Sequence, residues 1–126
     1  DKRYNKLILV DGHRLIAVES QKKSIYELLP SGAARLIVDG LNVISDIHEY
    51  MGGVLISDVG ANKIWQLSLG GDLKLLASAT YTGISHFAEQ KGILYGIRNA
   101  RELVKINQDK TVEYISTLPL GMRSFV

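Results

Sequence analysis

The chain contains no cysteine, which excludes a disulfide framework, a thiolate metal site and a cysteine nucleophile. It also lacks any apolar run near the roughly 18 residues that a bilayer-spanning helix needs, so no membrane span is predicted. Neither sign of charge dominates, since 15 Lys and Arg stand against 13 Asp and Glu and the formal charge is +2. This balance does not indicate nucleic acid as a partner. Helical spacing of apolar residues is not sustained anywhere in the 126 residues.

What the sequence does contain is an internal repeat with a period of about 39 residues. The segment RLIAVESQKKSIYELLPSGAARLIVDG from Arg14 aligns with VLISDVGANKIWQLSLGGDLKLLASA from Val54 and with ILYGIRNARELVKINQDKTVEYIST from Ile93. A short apolar piece precedes each unit: KLILV, SDIHEY and TGISHF. The predicted repeats are 4–42, 43–81 and 82–119, with the first strand of a fourth at 120–126.

Each repeat reads as four short antiparallel strands, because apolar runs of three to six residues alternate with turn residues. Tight hairpins are expected at Asp11-Gly12, Gly52-Gly53 and Lys91-Gly92. Four strands in about 39 residues is the size of a β-propeller blade. The predicted fold is therefore all-β, with three propeller blades and one further strand. A meandering sandwich or barrel is the alternative, but it would not require the same spacing three times.

The segment DVGANKIWQLSLGGDLKLLA resembles the NHL-type and gluconolactonase-like six-bladed propellers, in which a strand ending in Asp is followed by a Gly-x-Asn turn. In this turn Asp58 and Asn62 are predicted to be structural: Asp58 can accept hydrogen bonds from the following backbone, and Asn62 tolerates a left-handed conformation. Only the middle repeat carries the motif. The first repeat has Glu19 at the position of Asp58, and the alignment places Ile97 there in the third.

Candidate site residues lie on the first strand of each repeat, which forms the inner strand of a blade and borders the central channel. The alignment equates His48 and Ser85 with Arg123, and Glu49 and His86 with the residue after it. A ring of polar side chains at the channel mouth is therefore predicted, with the following members: Asp46, His48, Glu49, Ser85, His86 and Arg123.

Three interpretations of this ring are open. It binds a small polar ligand or a protein segment; it holds a metal ion; or its members solvate the channel and satisfy one another. Asp46, His48 and His86 are weak metal candidates. The gluconolactonase-like enzymes hold a divalent ion through Glu, Asn and Asp, but no matching Asn stands on an inner strand here. No cofactor is therefore predicted, although a divalent metal is conceivable.

Catalysis by a serine nucleophile is disfavoured, because Ser85 and His86 are neighbours on a strand and point to opposite faces. The leading functional hypothesis is a non-enzymatic propeller module that binds a protein or small polar ligand at the channel mouth. The alternatives are half of a metal-dependent lactonase- or hydrolase-type enzyme and a purely structural assembly scaffold.

Three blades do not close a ring, so both terminal blades are expected to have a bare apolar face. Two kinds of partner would cover them: further blades of a longer polypeptide, or a second copy in a homo-oligomer. The chain starts without Met and ends within a predicted strand, Met122 to Val126, that would compete with Leu7 to Val10 of a head-to-tail partner. The first kind is therefore favoured.

Overall fold

A computed structural model describes residues 3–77, 83–107 and 111–119. These residues form three four-stranded antiparallel sheets and no helix. The strands of sheet 1 are β1 (Tyr4–Val10), β2 (Arg14–Glu19), β3 (Ile25–Leu28) and β4 (Ala34–Val38). Those of sheet 2 are β5 (Ile44–Tyr50), β6 (Gly53–Asp58), β7 (Lys63–Leu67) and β8 (Leu73–Ala77). Those of sheet 3 are β9 (Ile84–Gln90), β10 (Ile93–Arg98), β11 (Glu102–Ile106) and β12 (Val112–Thr117). The predicted fourth repeat lies outside the described residues.

Strand order in each sheet follows chain order, since every connection within a sheet is a hairpin. The first hairpin of every sheet begins with two residues of positive φ, namely Asp11-Gly12, Met51-Gly52 and Lys91-Gly92, and the loop of sheet 1 has His13 as a third residue. Two successive residues with positive φ are typical of the tight turn that matches strand twist. The prediction of Gly52-Gly53 is therefore wrong by one residue. Gly53 already pairs with Tyr50 at the start of β6.

The sheets pack face to face through two apolar cores, one between each pair of neighbours. The core between sheets 1 and 2 contains twelve buried apolar residues, among them Ile16, Ile25, Ile47 and Ile56. The single tryptophan, Trp65, packs against this core. Burial of this kind is the main source of stability for a small sheet stack.

The second core lies between sheets 2 and 3 and includes Leu55, Ile64, Phe87 and Val104. Side chains alternate along a strand, so each sheet presents one face to the sheet before it and the other to the sheet after it. We call these its front face and its rear face. In sheet 2, the front face carries Ile47 and Ile56, whereas the rear face carries Leu55 and Ile64. The inner strands β1, β5 and β9 lie beside one another in that order.

A charged cluster supplements the first core on the rear face of sheet 1. Glu27 is buried and accepts hydrogen bonds from Arg14 Nε at 2.8 Å and Nη2 at 2.7 Å. Arg35 Nη2 donates to the same carboxylate at 2.8 Å and to the carbonyl of Leu69, in the turn between β7 and β8, at 2.9 Å. The hydrogen bonds from Arg14 and then Arg35 lower the pKa of Glu27 from 4.5 to about 2. The cluster therefore joins three strands of sheet 1 to sheet 2.

We expect Glu27→Gln to lower the free energy of unfolding by about 1–2 kcal/mol at pH 7, because both arginines are partly exposed and their pairing is screened. A depressed folded-state pKa stabilises the protein above the unfolded-state value of about 4.5. That contribution is lost as the pH falls from about 4.5 to about 2, so the variant and the parent should converge there. Urea unfolding, followed by Trp65 fluorescence at several pH values, measures the free energy of unfolding of the variant and of the parent. Glu113→Gln, at an exposed position, is the control. A difference that persists unchanged at pH 2 would contradict the ionic role.

Candidate functional site at the inner strands

The hairpin turns set which residues of the inner strands lie at the same height. Lys6, Asp46 and His86 each stand five residues before the first turn residue, and each pairs with the second strand at a matching position: Val18, Ser57 and Ile97. The predicted equivalence of His48 with Ser85, and of Glu49 with His86, is therefore wrong. The turns recur every 40 residues, which makes His48 equivalent to Ala88 and Glu49 equivalent to Glu89, so the predicted alignment displaced these positions by three residues. Lys6 lies at the height of Asp46 by the same count and was not among the predicted site residues.

Asp46 is buried and links all three inner strands. Its Oδ1 lies 2.8 Å from Lys6 Nζ of sheet 1, in an ion pair without hydrogen-bond alignment. Its Oδ2 accepts a hydrogen bond from the backbone N–H of Phe87 in sheet 3 at 2.8 Å. A carboxylate with few exposed atoms and two such partners serves the packing of the sheets.

Two other predicted site residues also bridge neighbouring sheets. His48 Nε2 lies 3.5 Å from Oε1 of Glu89 on β9, and its ring lies 6.3 Å from that of Phe87. Glu49 Oε2 accepts a hydrogen bond at 2.7 Å from the backbone N–H of Asp11, in the first hairpin of sheet 1. His48 is on the rear face and Glu49 on the front face, so the structure does not bring their side chains together in one site.

Ser85 and His86 lie beside a groove of about 330 Å³ at the start of β9. The other lining residues are Gly83, Asn99 and Ala100. The Ser85 hydroxyl donates to the carbonyl of Ile97 at 3.2 Å, and Asn99 Nδ2 donates to Glu102 at 3.3 Å. Within the described part of the chain, no hydrogen bond or ion pair joins the half-buried His86 ring to another group. This groove therefore brings together two of the predicted site residues and adds Asn99.

The structural turn has a partly different role from the predicted one. Asn62 has φ 57°, in the left-handed region. The buried Asp58 carboxylate accepts hydrogen bonds from the backbone N–H groups of Asn42 at 3.2 Å and Val43 at 2.9 Å. These lie in the linker that precedes β5, not in the turn that follows Asp58. In sheet 3 the equivalent position, paired with the first residue of the inner strand, is Arg98 and not Ile97.

Two predictions about the site are left open. Arg123 lies outside the described residues, so its place in a ring is a prediction. Among residues 3–77, 83–107 and 111–119, no three His, Asp or Glu side chains come together as a metal site. Asp46 binds Lys6 and the N–H of Phe87, His48 faces Glu89 and the Phe87 ring, and His86 borders the groove at the start of β9. Within the same ranges, no helix has the length and hydropathy of a bilayer span.

Comparison with known proteins shows which fold this architecture belongs to. No family model and no curated protein matches the chain. Among solved structures, virginiamycin B lyase from Staphylococcus aureus is similar, with a TM-score of 0.70 over 92% of this chain. The chain has a β-propeller fold. Its three sheets are blades, and β1, β5 and β9 are their inner strands, as the repeat predicted.

The likeness to the lyase is one of fold. Sequence identity is 13%, and the propeller arc described here spans 41% of the length of that chain. Residue roles and activity do not transfer at this identity, since one fold supports many functions. The resemblance to NHL-type propellers and the closure into a ring of six blades stay predictions.

Proposed function

We propose that this chain is a non-enzymatic propeller module that binds a polar segment of a partner protein in the groove beside Ser85, His86 and Asn99. The observation that carries the proposal is the His86 ring, which borders the groove and has no polar partner in the described part of the chain. Its equivalents in the other blades, Lys6 and Asp46, bind each other across an interface. His86 alone of this row is available to a ligand.

The chemistry of the groove suits recognition. Imidazole and carboxamide groups donate and accept hydrogen bonds, and the Ser85 oxygen keeps acceptor capacity after its donation to Ile97. A volume of about 330 Å³ is at the lower end of ligand pockets. It fits a few side chains better than a large cofactor. The Ser85 hydroxyl bonds a carbonyl oxygen and no base, so it has none of the activation that a nucleophile needs.

The lyase activity named for the similar structure is not proposed here, because the likeness extends to the fold alone. A metal-dependent hydrolase is not favoured by any contact of the described residues. Asp46, the strongest carboxylate candidate, is engaged by Lys6 and by the N–H of Phe87.

We expect peptides selected from a random 12-residue phage library against this chain to bind His86→Ala about tenfold more weakly, since one lost hydrogen bond is worth roughly 1.4 kcal/mol. Fluorescence anisotropy of the labelled peptides measures the affinity. His13→Ala is the matched control, because His13 lies on an exposed hairpin of sheet 1. Equal losses in both variants, or no loss in either, would refute the groove as the binding site. Binding of small polyols with no selected peptide would assign it to a small ligand instead.

A further inference from the structure

The front face of sheet 1 exposes a patch of leucines. Leu7 is the cross-strand partner of Ala17, Ala17 is paired with Tyr26, and Tyr26 is paired with Leu36. Leu9 is paired with Leu15. Paired residues of antiparallel strands share a face, so the exposed leucines form one patch on this face. Four large apolar side chains on it are 38–55% exposed: Leu7, Leu9, Leu15 and Leu36. We call them the leucine patch.

The same face is covered in the other two blades. On sheet 2 its residues include Ile47 and Ile56, which are buried against the rear face of sheet 1. On sheet 3 they include Phe87 and Val104, which are buried against the rear face of sheet 2. The leucine patch is thus the continuation of an interface that the chain makes twice within itself.

We propose that the leucine patch docks against the rear face of a further four-stranded propeller blade that is not supplied by a second copy of this chain. The chemistry of the inner strand specifies that blade. Glu49 and Glu89 each stand two residues before the hairpin turn. Glu49 accepts a hydrogen bond from the backbone N–H of Asp11 in the preceding blade, and Glu89 lies beside the His48 ring of the preceding blade. In sheet 1 this position is Leu9. His48 of sheet 2 faces Glu89 of sheet 3, and the equivalent residue of the docking blade would face Leu9. We therefore expect that residue to be apolar.

The length of the arc favours a further blade over a second copy. The described arc matches 41% of the similar propeller chain with a TM-score of 0.70, so it bends as that ring does. Two copies would match only about four-fifths of that chain's length, so a second copy does not account for the whole of such a propeller. Heterologous contacts that fail to close give open chains instead of rings. A single further blade would cover the leucine patch without forming an open chain of copies.

The test uses an added blade as the probe. A copy of residues 41–80 carrying His48→Leu is fused ahead of Asp1, which keeps the 40-residue spacing between first hairpins, so that its rear face can reach the leucine patch. Leu7→Asp is then made in the original repeat of both the extended and the parent chain. We expect the thermal midpoint to fall by at least about 5 °C more in the extended chain, because Leu7 is buried only there. Met51→Asp, an exposed hairpin position, is expected to have an equal effect in both.

Two results would overturn the proposal. The first is an equal shift for Leu7→Asp in both chains, which would mean that the added blade does not cover the patch. The second comes from light scattering of the parent chain. A mass that rises with concentration above 13.9 kDa and returns to it in Leu7→Asp would assign the patch to a second copy. Scattering that is the same for the parent and Leu7→Asp, together with the larger shift in the extended chain, supports the proposal.

Discussion

Asp46→Ala is expected to lower the free energy of unfolding by about 3 kcal/mol. The substitution removes the acceptor of the buried Phe87 N–H and the partner of Lys6 Nζ in one step. An unsatisfied buried N–H costs about 1–3 kcal/mol, and the lost carboxylate adds to it. Lys6 is 41% exposed, so its ammonium is rehydrated and the loss is smaller than for a fully buried pair. Chemical unfolding followed by Trp65 fluorescence gives the value.

The two contacts of Asp46 can be separated. Asp46→Asn keeps an oxygen for Phe87 N–H but removes the charge, so it should cost about half as much. Lys6→Met alone, and combined with Asp46→Asn, completes a double-mutant cycle that isolates the ion pair. We expect a coupling of up to about 1 kcal/mol. If Asp46→Ala costs no more than an ordinary surface substitution, the carboxylate does not hold the inner strands together.

Gly53→Ala is expected to destabilise the fold by about 3 kcal/mol, and expression of folded protein should fall accordingly. A Cβ built on Gly53 would lie 2.3 Å from the backbone carbonyl oxygen of Leu67. Backbone cannot move aside as a flexible side chain does, so β6 and β7 must separate. Circular dichroism and thermal unfolding measure the loss.

The neighbouring glycine is the matched control. Gly52 has φ +75° and no atom within 4 Å of an added Cβ, so Gly52→Ala meets only conformational strain of about 1 kcal/mol. A cost for Gly52→Ala equal to that for Gly53→Ala would show that turn conformation, and not the approach of Leu67, requires glycine here.

The candidate site was only partly predictable. A polar row on the inner strands could be expected from the sequence, but which side chains share a height depends on the hairpin register. Lys6 stands beside the apolar run KLILV and carries no signal as a site residue. Its role follows only when the turn at Asp11 is seen to match those at Met51 and Lys91. The turns recur every 40 residues and not every 39, which explains why Arg98, and not Ile97, occupies the position of Asp58.

The hydrogen-bond partners of the polar side chains could not be predicted from the sequence repeat for a similar reason. Asp58 was expected to hold its own turn, and it instead binds the linker at Asn42 and Val43, 15 or 16 residues earlier. Glu27 binds arginines on two other strands. Such contacts depend on how the sheets twist and stack, which no local periodicity encodes.

The sequence by itself determined the four short strands of each of the three described blades, because turn residues and short apolar runs recur with one period and β-structure responds to that local pattern. It also determined that apolar faces would be buried between repeats. Only the tertiary structure decided which polar groups meet across those faces. Bridging by Asp46 and the availability of His86 both depend on distances between strands of different blades. Those distances are set by long-range packing, to which each residue contributes only in the presence of its neighbours.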